Sequence, residues 1–218
     1  MKTVAIITAG GTSSRFGNSN KLLEKIYDKE VIQYTIDAFE KSNIDEIIIS
    51  SHVSIMEHLK ELFKDYKKVR LTKGGNTRQE SVYNGIIAAG KCDYVLIHDG
   101  ARPMVTTDMV NNCIEMVKDM DALTVATKTV DTIKEVEHGK IIRTIDRAKL
   151  YNTQTPQAFK YGIIKDAHER LKDKNFTDDA GMLEALGKKV CILDGSYKNI
   201  KITTQTDLEI AKIFLKQG

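Results

Sequence analysis

Apolar residues along this chain come in two rhythms. Short runs without polar alternation, VAIIT at 4–8, IDEIIIS at 44–50, VRLT at 69–72, YVLIH at 94–98, ALTVAT at 122–127 and KVCILDG at 189–195, have the pattern of strands covered on both faces. Between them apolar residues recur at helical spacing, as with Val31, Ile32, Ile36 and Phe39, or Val110, Cys113, Ile114 and Val117 in a helix starting near Thr106 or Thr107. Further helices are predicted after a Ser54/Glu57 capping box through Phe63, through Ala89, over about 161–172 and 178–186, and after a Thr206/Glu209 capping box. Strands alternating with helices through short loops predict one α/β domain over residues 1–218, with a mostly parallel sheet and helices on both faces. The rhythm breaks once. From about residue 130 to 152, weakly alternating pieces around His138-Gly139 predict a projecting β-ribbon arm. QTPQAF (154–159) reads as the lead back to the helices, and NIKITT (199–204) as the lead into the last one.

The loop after the first strand carries the most chemistry. Ala9, Gly10, Gly11, Thr12, Ser13 and Ser14 have little side-chain bulk, so backbone N–H groups can approach a phosphate chain, and Arg15 and Lys21 set two cations at the exit. Such a loop lies at the carboxyl edge of a parallel sheet, where open α/β folds bind ligands. An ordinary glycine-rich turn with two surface cations is the competing reading. GGNTRQESVYNGI (74–86) repeats the same grammar of glycines, small polar residues and a cation leading into a helix. Neither stretch is G-x-x-x-x-G-K-[ST] or G-x-G-x-x-G, and no acidic residue stands about 20 positions on to hold a ribose, which argues against a dinucleotide-binding oxidoreductase.

Composition narrows the classes. A net charge of +3 with scattered Lys and Arg gives no nucleic-acid stripe. Three cysteines, Cys92, Cys113 and Cys191, without C-x-x-C spacing argue against a disulfide framework or zinc site and for a reducing cytoplasm. Met1 runs almost at once into the first strand, so no signal or transit peptide is expected, and no apolar run approaches a membrane span.

In order, TAGGTSSRFGNSNK, GGNTRQESVYNG, HDGARP, VDTIK, TIDR, QTPQAF, FTDDAGMLEALG and NIKITTQTDL resemble the successive motifs of the 2-C-methyl-D-erythritol 4-phosphate cytidylyltransferase family, over nearly the whole chain. Ribitol-5-phosphate cytidylyltransferase is a close relative, and DGARP and TIDR stand nearer to the methylerythritol enzyme. The resemblance implies a Rossmann-like three-layer nucleotidyltransferase fold. It implies CMP transfer from CTP to the phosphate of 2-C-methyl-D-erythritol 4-phosphate, releasing pyrophosphate with Mg²⁺ assistance, with ribitol 5-phosphate as the alternative acceptor, and a homodimer in which the arm of one subunit reaches the active site of the other. By this match Arg15 and Lys21 are the catalytic cations, and Ala9, Gly10 and Gly11 cradle the triphosphate. Gly74, Gly75, Arg78 and Ser81 recognise cytidine, and Ala101 also serves CTP. Asp99 is the metal ligand, and Arg102, Thr132, Arg147, Thr155 and Lys201 bind the acceptor. The chain departs from the family pattern at Thr8, in the glycine spacing of 11–14, at Asn20-Lys21-Leu22, and at Gly100 and Gly181.

The chemistry suits these residues. An acceptor phosphate attacking an α-phosphorus brings two polyanions together, so fixed cations help more than proton transfer. A phosphate monoester is largely dianionic at neutral pH, its second pKa being about 6, and needs no general base. His98, at the end of a buried strand, is therefore expected to be structural. A catalytically silent nucleotide-binding module on the same fold is the remaining alternative, against which stands the joint retention of Arg15, Lys21, Asp99, Arg147 and Lys201.

Overall fold

The computed structural model describes residues 1–10, 16 and 20–216. Its main sheet is built from β1 (Thr3–Ala9), β4 (Glu46–Ser51), β5 (Val69–Lys73), β6 (Tyr94–Asp99), β7 (Ala122–Lys128), β10 (Tyr151–Lys160) and β11 (Cys191–Asp194), in spatial order β11-β7-β10-β6-β1-β4-β5. All neighbours are parallel except β10, which runs antiparallel between β6 and β7. Two short strands, β2 (Lys25–Ile26) and β3 (Lys29–Glu30), form a hairpin before the first helix.

Both faces of the sheet are covered, which is why its strands do not alternate. Ala5, Ile7 and Ala9 of β1 face a core completed by α1 (Val31–Glu40), α2 (Val53–Leu62) and α4 (Thr107–Asp119), through Phe39, Leu59 and Val117 among others. Ile6, pointing the other way, belongs to a second core with Val82 and Ile86 of α3 (Arg78–Ala89), Ile164 of α5 (Tyr161–Arg170) and Leu183 of α6 (Asp179–Ala185). The last helix, α7 (Gln205–Lys216), packs Leu208 and Ala211 against Ile26 and Val31. No helix among the described residues is long and apolar enough to cross a membrane.

The expected helices and parallel strands are present with ends moved by a few residues. Two caps differ. His52, not Ser54, caps α2, its ring accepting from the Ser54 N–H, and Thr204 with Asp207 forms the reciprocal pair at the start of α7. The arm is a separate two-stranded ribbon, β8 (Lys134–Glu137) and β9 (Lys140–Thr144), and residues 131–144 are all exposed. His138 and Gly139 have φ of 49° and 76°, the two positive values that a type I′ hairpin turn requires.

Candidate active site

From β1 the chain builds outward through β4 and β5, then crosses to place β6 on the other side of β1. The loops leaving the carboxyl ends of β1 and β6 therefore part, opening the crevice where such sheets bind ligands. On one side lie the glycines. A Cβ on Gly10 would stand 2.5 Å from Ser81 Oγ, and one on Gly74 would stand 3.1 Å from both Ser81 Oγ and the Ser51 carbonyl oxygen. A side chain at either position would force Ser81 or the Ser51 carbonyl to shift. Ser81 Oγ donates to the Thr77 carbonyl (2.8 Å) and accepts from the Gly75 N–H (3.0 Å). Gly10, Gly74, Gly75 and Ser81 are thus brought together as expected, with buried Ala9 at the end of β1 beside them.

Across the crevice a cavity of about 270 Å³ is lined by Arg78, Asp99, Arg102, Thr153, Gln154, Thr155, Gln157, Thr177, Asp178 and Lys201. Its centre is Asp99, buried at the end of β6. Asp99 Oδ1 takes Arg78 Nε at 3.2 Å and the Thr8 hydroxyl at 3.3 Å, while Oδ2 takes Lys201 Nζ at 2.8 Å, with Arg102 Nε 3.8 Å away. Burial alone would raise this carboxyl, but Arg78, Lys201 and Arg102 outweigh it and hold Asp99 far below the usual carboxylate range. The lining carries three cations against Asp99 and Asp178, so it remains net positive.

Long-range backbone contacts hold these groups in place. The Ile202 N–H donates to the Ala101 carbonyl (2.9 Å) and Arg102 Nη1 to the Asn199 carbonyl (2.7 Å), tying the segment before α7 to the loop after β6. Asn199, fully buried, donates from Nδ2 to the Thr155 carbonyl (2.9 Å). Thr155 Oγ1 in turn accepts from the Asp99 N–H (3.1 Å) and meets His98 Nδ1 (2.9 Å). Burial pushes His98 down to about 3, so it is the neutral structural histidine expected.

Arg78, Ala101, Arg102, Thr155 and Lys201 therefore gather around Asp99, and the Arg78 guanidinium, expected at the cytidine, lines this cavity and binds Asp99 and Asp179. Lys21 stands near the start of α7. Burial would raise the Asp207 carboxyl, but the Thr203 and Thr204 N–H groups, the Thr204 hydroxyl and the charge of Lys21 lower it. Lys21 does not line the cavity. Arg15 and Gly11 lie outside the described residues. Thr132 and Arg147 are exposed on the arm and do not line the cavity within one chain, and Arg147 donates to the Val130 carbonyl. Asp99, the expected metal ligand, is a hard oxygen donor whose two oxygens here serve Arg78, Thr8 and Lys201. Among the described residues no group of three carboxylate, histidine or cysteine side chains stands with it, so a Mg²⁺ there would draw on this carboxylate with phosphate oxygens and water.

Sequence reasoning passed over Gln157, Thr177, Asp178, Asp179 and His168. Gln157 accepts from the Asp179 and Ala180 N–H groups (3.0 and 3.2 Å) and donates to Asp178 (2.8 Å), which fixes the start of α6 against the cavity. QTPQAF and FTDDAG were the available signals for Gln157, Thr177 and the two aspartates; nothing local pointed to His168.

A doubly covered, mostly parallel sheet whose central crevice joins a glycine nest to a cation-lined pocket is the arrangement a nucleotidyltransferase needs. Residues 3–217 match the family described as IspD, 2-C-methyl-D-erythritol 4-phosphate cytidylyltransferase, and the chain belongs to that family. It is 40% identical over 226 residues to the 2-C-methyl-D-erythritol 4-phosphate cytidylyltransferase of Clostridioides difficile, covering 99% of this chain and 94% of that one. To the protein of the same name from Bacillus cereus it is 39% identical over 218 residues, covering 97% and 96%. The crystal structure of 4-diphosphocytidyl-2C-methyl-D-erythritol synthase from Anaerococcus prevotii superposes with a TM-score of 0.89 at 31% identity, over 99% of this chain and 96% of that one.

Proposed function

We infer that this chain transfers a cytidylyl group from CTP to the phosphate of 2-C-methyl-D-erythritol 4-phosphate, releasing pyrophosphate, as a step of isoprenoid precursor synthesis. The observation that carries the reading is Arg102 Nε, a buried donor with no hydrogen-bond partner among the described residues, beside Lys201 on a net positive pocket wall. A buried unspent donor is costly, and a phosphate oxygen is the group that would use it.

In this reading Gly10, Gly11 and Ala9 cradle the triphosphate, and Gly74, Gly75 and Ser81 take the cytidine. Arg102, Lys201 and Thr155 hold the acceptor phosphate at the crevice, poised for in-line attack on the α-phosphorus. Arg15 and Lys21 offset the charge that gathers at the α-phosphate and the departing pyrophosphate. The acceptor dianion attacks directly, so neutral His98 takes no part in proton transfer. Asp99 would offer Mg²⁺ one carboxylate, with triphosphate oxygens and water filling the rest of its shell, and the ion would supply positive charge at the α-phosphate.

Thr132 and Arg147 complete the acceptor pocket from the arm of a second subunit. The arm supports this by exposing Val130, Val136, Ile141 and Ile142, each more than half accessible, around a ribbon that pairs with no further strand among the described residues. A homodimer would cover that surface. Free Cys92, Cys113 and Cys191 suit a cytoplasmic enzyme.

Pyrophosphate release measured with CTP, Mg²⁺ and a panel of polyol phosphates tests the assignment. Turnover with 2-C-methyl-D-erythritol 4-phosphate well above that with ribitol 5-phosphate is expected. Preference for ribitol 5-phosphate, or CTP binding without turnover, would replace it.

A further inference from the structure

Behind the cavity lies a buried ionic chain that the transfer reaction does not itself require. Arg78 spans two carboxylates: Nε reaches Asp99 Oδ1 at 3.2 Å and Nη1 reaches Asp179 Oδ2 at 2.8 Å. The Asp179 side chain is 1% exposed, and its other oxygen accepts from Nε2 of His168, itself buried, at 3.1 Å. That imidazole stacks on Tyr83 of α3, with ring centroids 6.1 Å apart and planes 15° from parallel. The Asp179 N–H is held by Gln157 Oε1, so the carboxylate is fixed at both its backbone and its far oxygen. α3, α5 and α6 each contribute to this chain, and its guanidinium, Arg78, lines the cavity.

A buried ion pair is a poor source of stability when apolar residues could fill the same space, so its placement calls for a function. The geometry supplies one. An arriving phosphate draws Lys201 toward itself, and Asp99 then depends on Arg78 for its remaining counter-charge. Were Arg78 free to swing to the phosphate or to solvent, the bare Asp99 carboxylate would repel the acceptor.

We propose that Asp179, oriented by His168, is a positioning residue that clamps Arg78 onto Asp99 and so keeps the acceptor pocket receptive to a phosphate dianion. The proposal rests on the acceptor reading above. It acts through Arg78, so its mark is on acceptor binding and not on CTP.

Steady-state kinetics on the full chain test it, with wild type measured first. Asp179→Asn keeps the shape and removes the charge, and is expected to raise KM for 2-C-methyl-D-erythritol 4-phosphate about tenfold while KM for CTP moves less than twofold. In an Arg78→Gln background the same substitution should change acceptor KM less than twofold, because its target is gone. An equal rise in both KM values, no rise at all, or a full tenfold rise persisting in the Arg78→Gln background overturns the proposal. Thermal melts accompany every variant. Should Asp179→Asn not fold, His168→Gln loosens the same carboxylate and must move acceptor KM at least threefold with CTP KM steady; the opposite pattern overturns the proposal. A wild type without turnover on this acceptor sinks the functional reading, whereas an active wild type with unmoved variants sinks the clamp alone.

Discussion

Replacing Asp99 by asparagine would strip the buried pocket of the charge around which Arg78, Arg102 and Lys201 are gathered. Breaking a buried ion pair from one side costs about 3–5 kcal/mol. Three features put this site at the lower end. Arg78 keeps Asp179, Arg102 keeps the Asn199 carbonyl, and the Lys201 side chain is 37% exposed and can turn to water. The expected loss is therefore about 3 kcal/mol at pH 7, or a melting temperature lower by roughly 6–12 °C for a chain of this size. Urea denaturation followed by circular dichroism measures it as a lower midpoint at unchanged slope. Acid gives a second reading with a fixed sign. The folded carboxyl is held far below its unfolded value of about 3.9, so its stabilisation is complete above that pH. As pH falls from about 5, the unfolded chain takes a proton that the native state refuses, and wild type loses up to about 1.4 kcal/mol per pH unit through this group. The variant lacks that contribution and should lose stability less steeply. A loss below about 1 kcal/mol at pH 7, together with an acid slope equal to that of wild type, would refute the charge-cage reasoning.

Four further outcomes follow from the same geometry. His98 stays neutral in the native state down to about pH 3 while the unfolded imidazole protonates near 6.5, so native stability falls as pH drops below 6.5. Comparing urea midpoints at pH 6.5 and 4.5, His98→Gln should show a smaller drop than wild type. Gly10→Ala drives a methyl group to 2.5 Å from Ser81 Oγ, and is expected to cost about 1–3 kcal/mol and raise CTP KM. Adding Ser81→Ala removes the clash and should recover part of the melting temperature. Lys21→Ala should lower kcat by about 10²-fold if it stabilises the transition state; near-normal turnover would exclude it. Arg147→Ala should raise acceptor KM much more than CTP KM, and equal effects on both would remove it from the acceptor site.

The sheet was legible because both of its faces are buried, which leaves unalternating β-branched runs such as VAIIT and YVLIH, and because helix faces such as that of α4 follow a clean 3.6-residue period. β10 was not. Tyr151–Lys160 is half polar, contains Pro156, and shifts register between Thr153 and Gln157, yet lies inside the sheet because its side chains hydrogen-bond to the site: Gln157 to the start of α6 and Thr155 to Asp99. Polarity imposed by the site overrode the pattern that marks a strand. The caps were misplaced for another reason. Two overlapping i, i+3 pairs were available at 204–209, Thr204/Asp207 and Thr206/Glu209, and spacing alone does not choose between them. Within the site, the glycines and the HDGARP and NIKIT cations announce themselves through motif order. The Asp179–His168 pair does not, since nothing in its spacing reveals that α5 and α6 deliver it behind Arg78.

The most direct measurement is a crystal structure of the chain with a non-reactive CTP analogue and 2-C-methyl-D-erythritol 4-phosphate. The account predicts the acceptor phosphate within hydrogen-bond distance of Arg102 Nε and Lys201 Nζ, and the triphosphate against Gly10, with the α-phosphorus facing the acceptor. An acceptor phosphate seated elsewhere, with Arg102 Nε still unengaged and Lys201 still on Asp99, would contradict it.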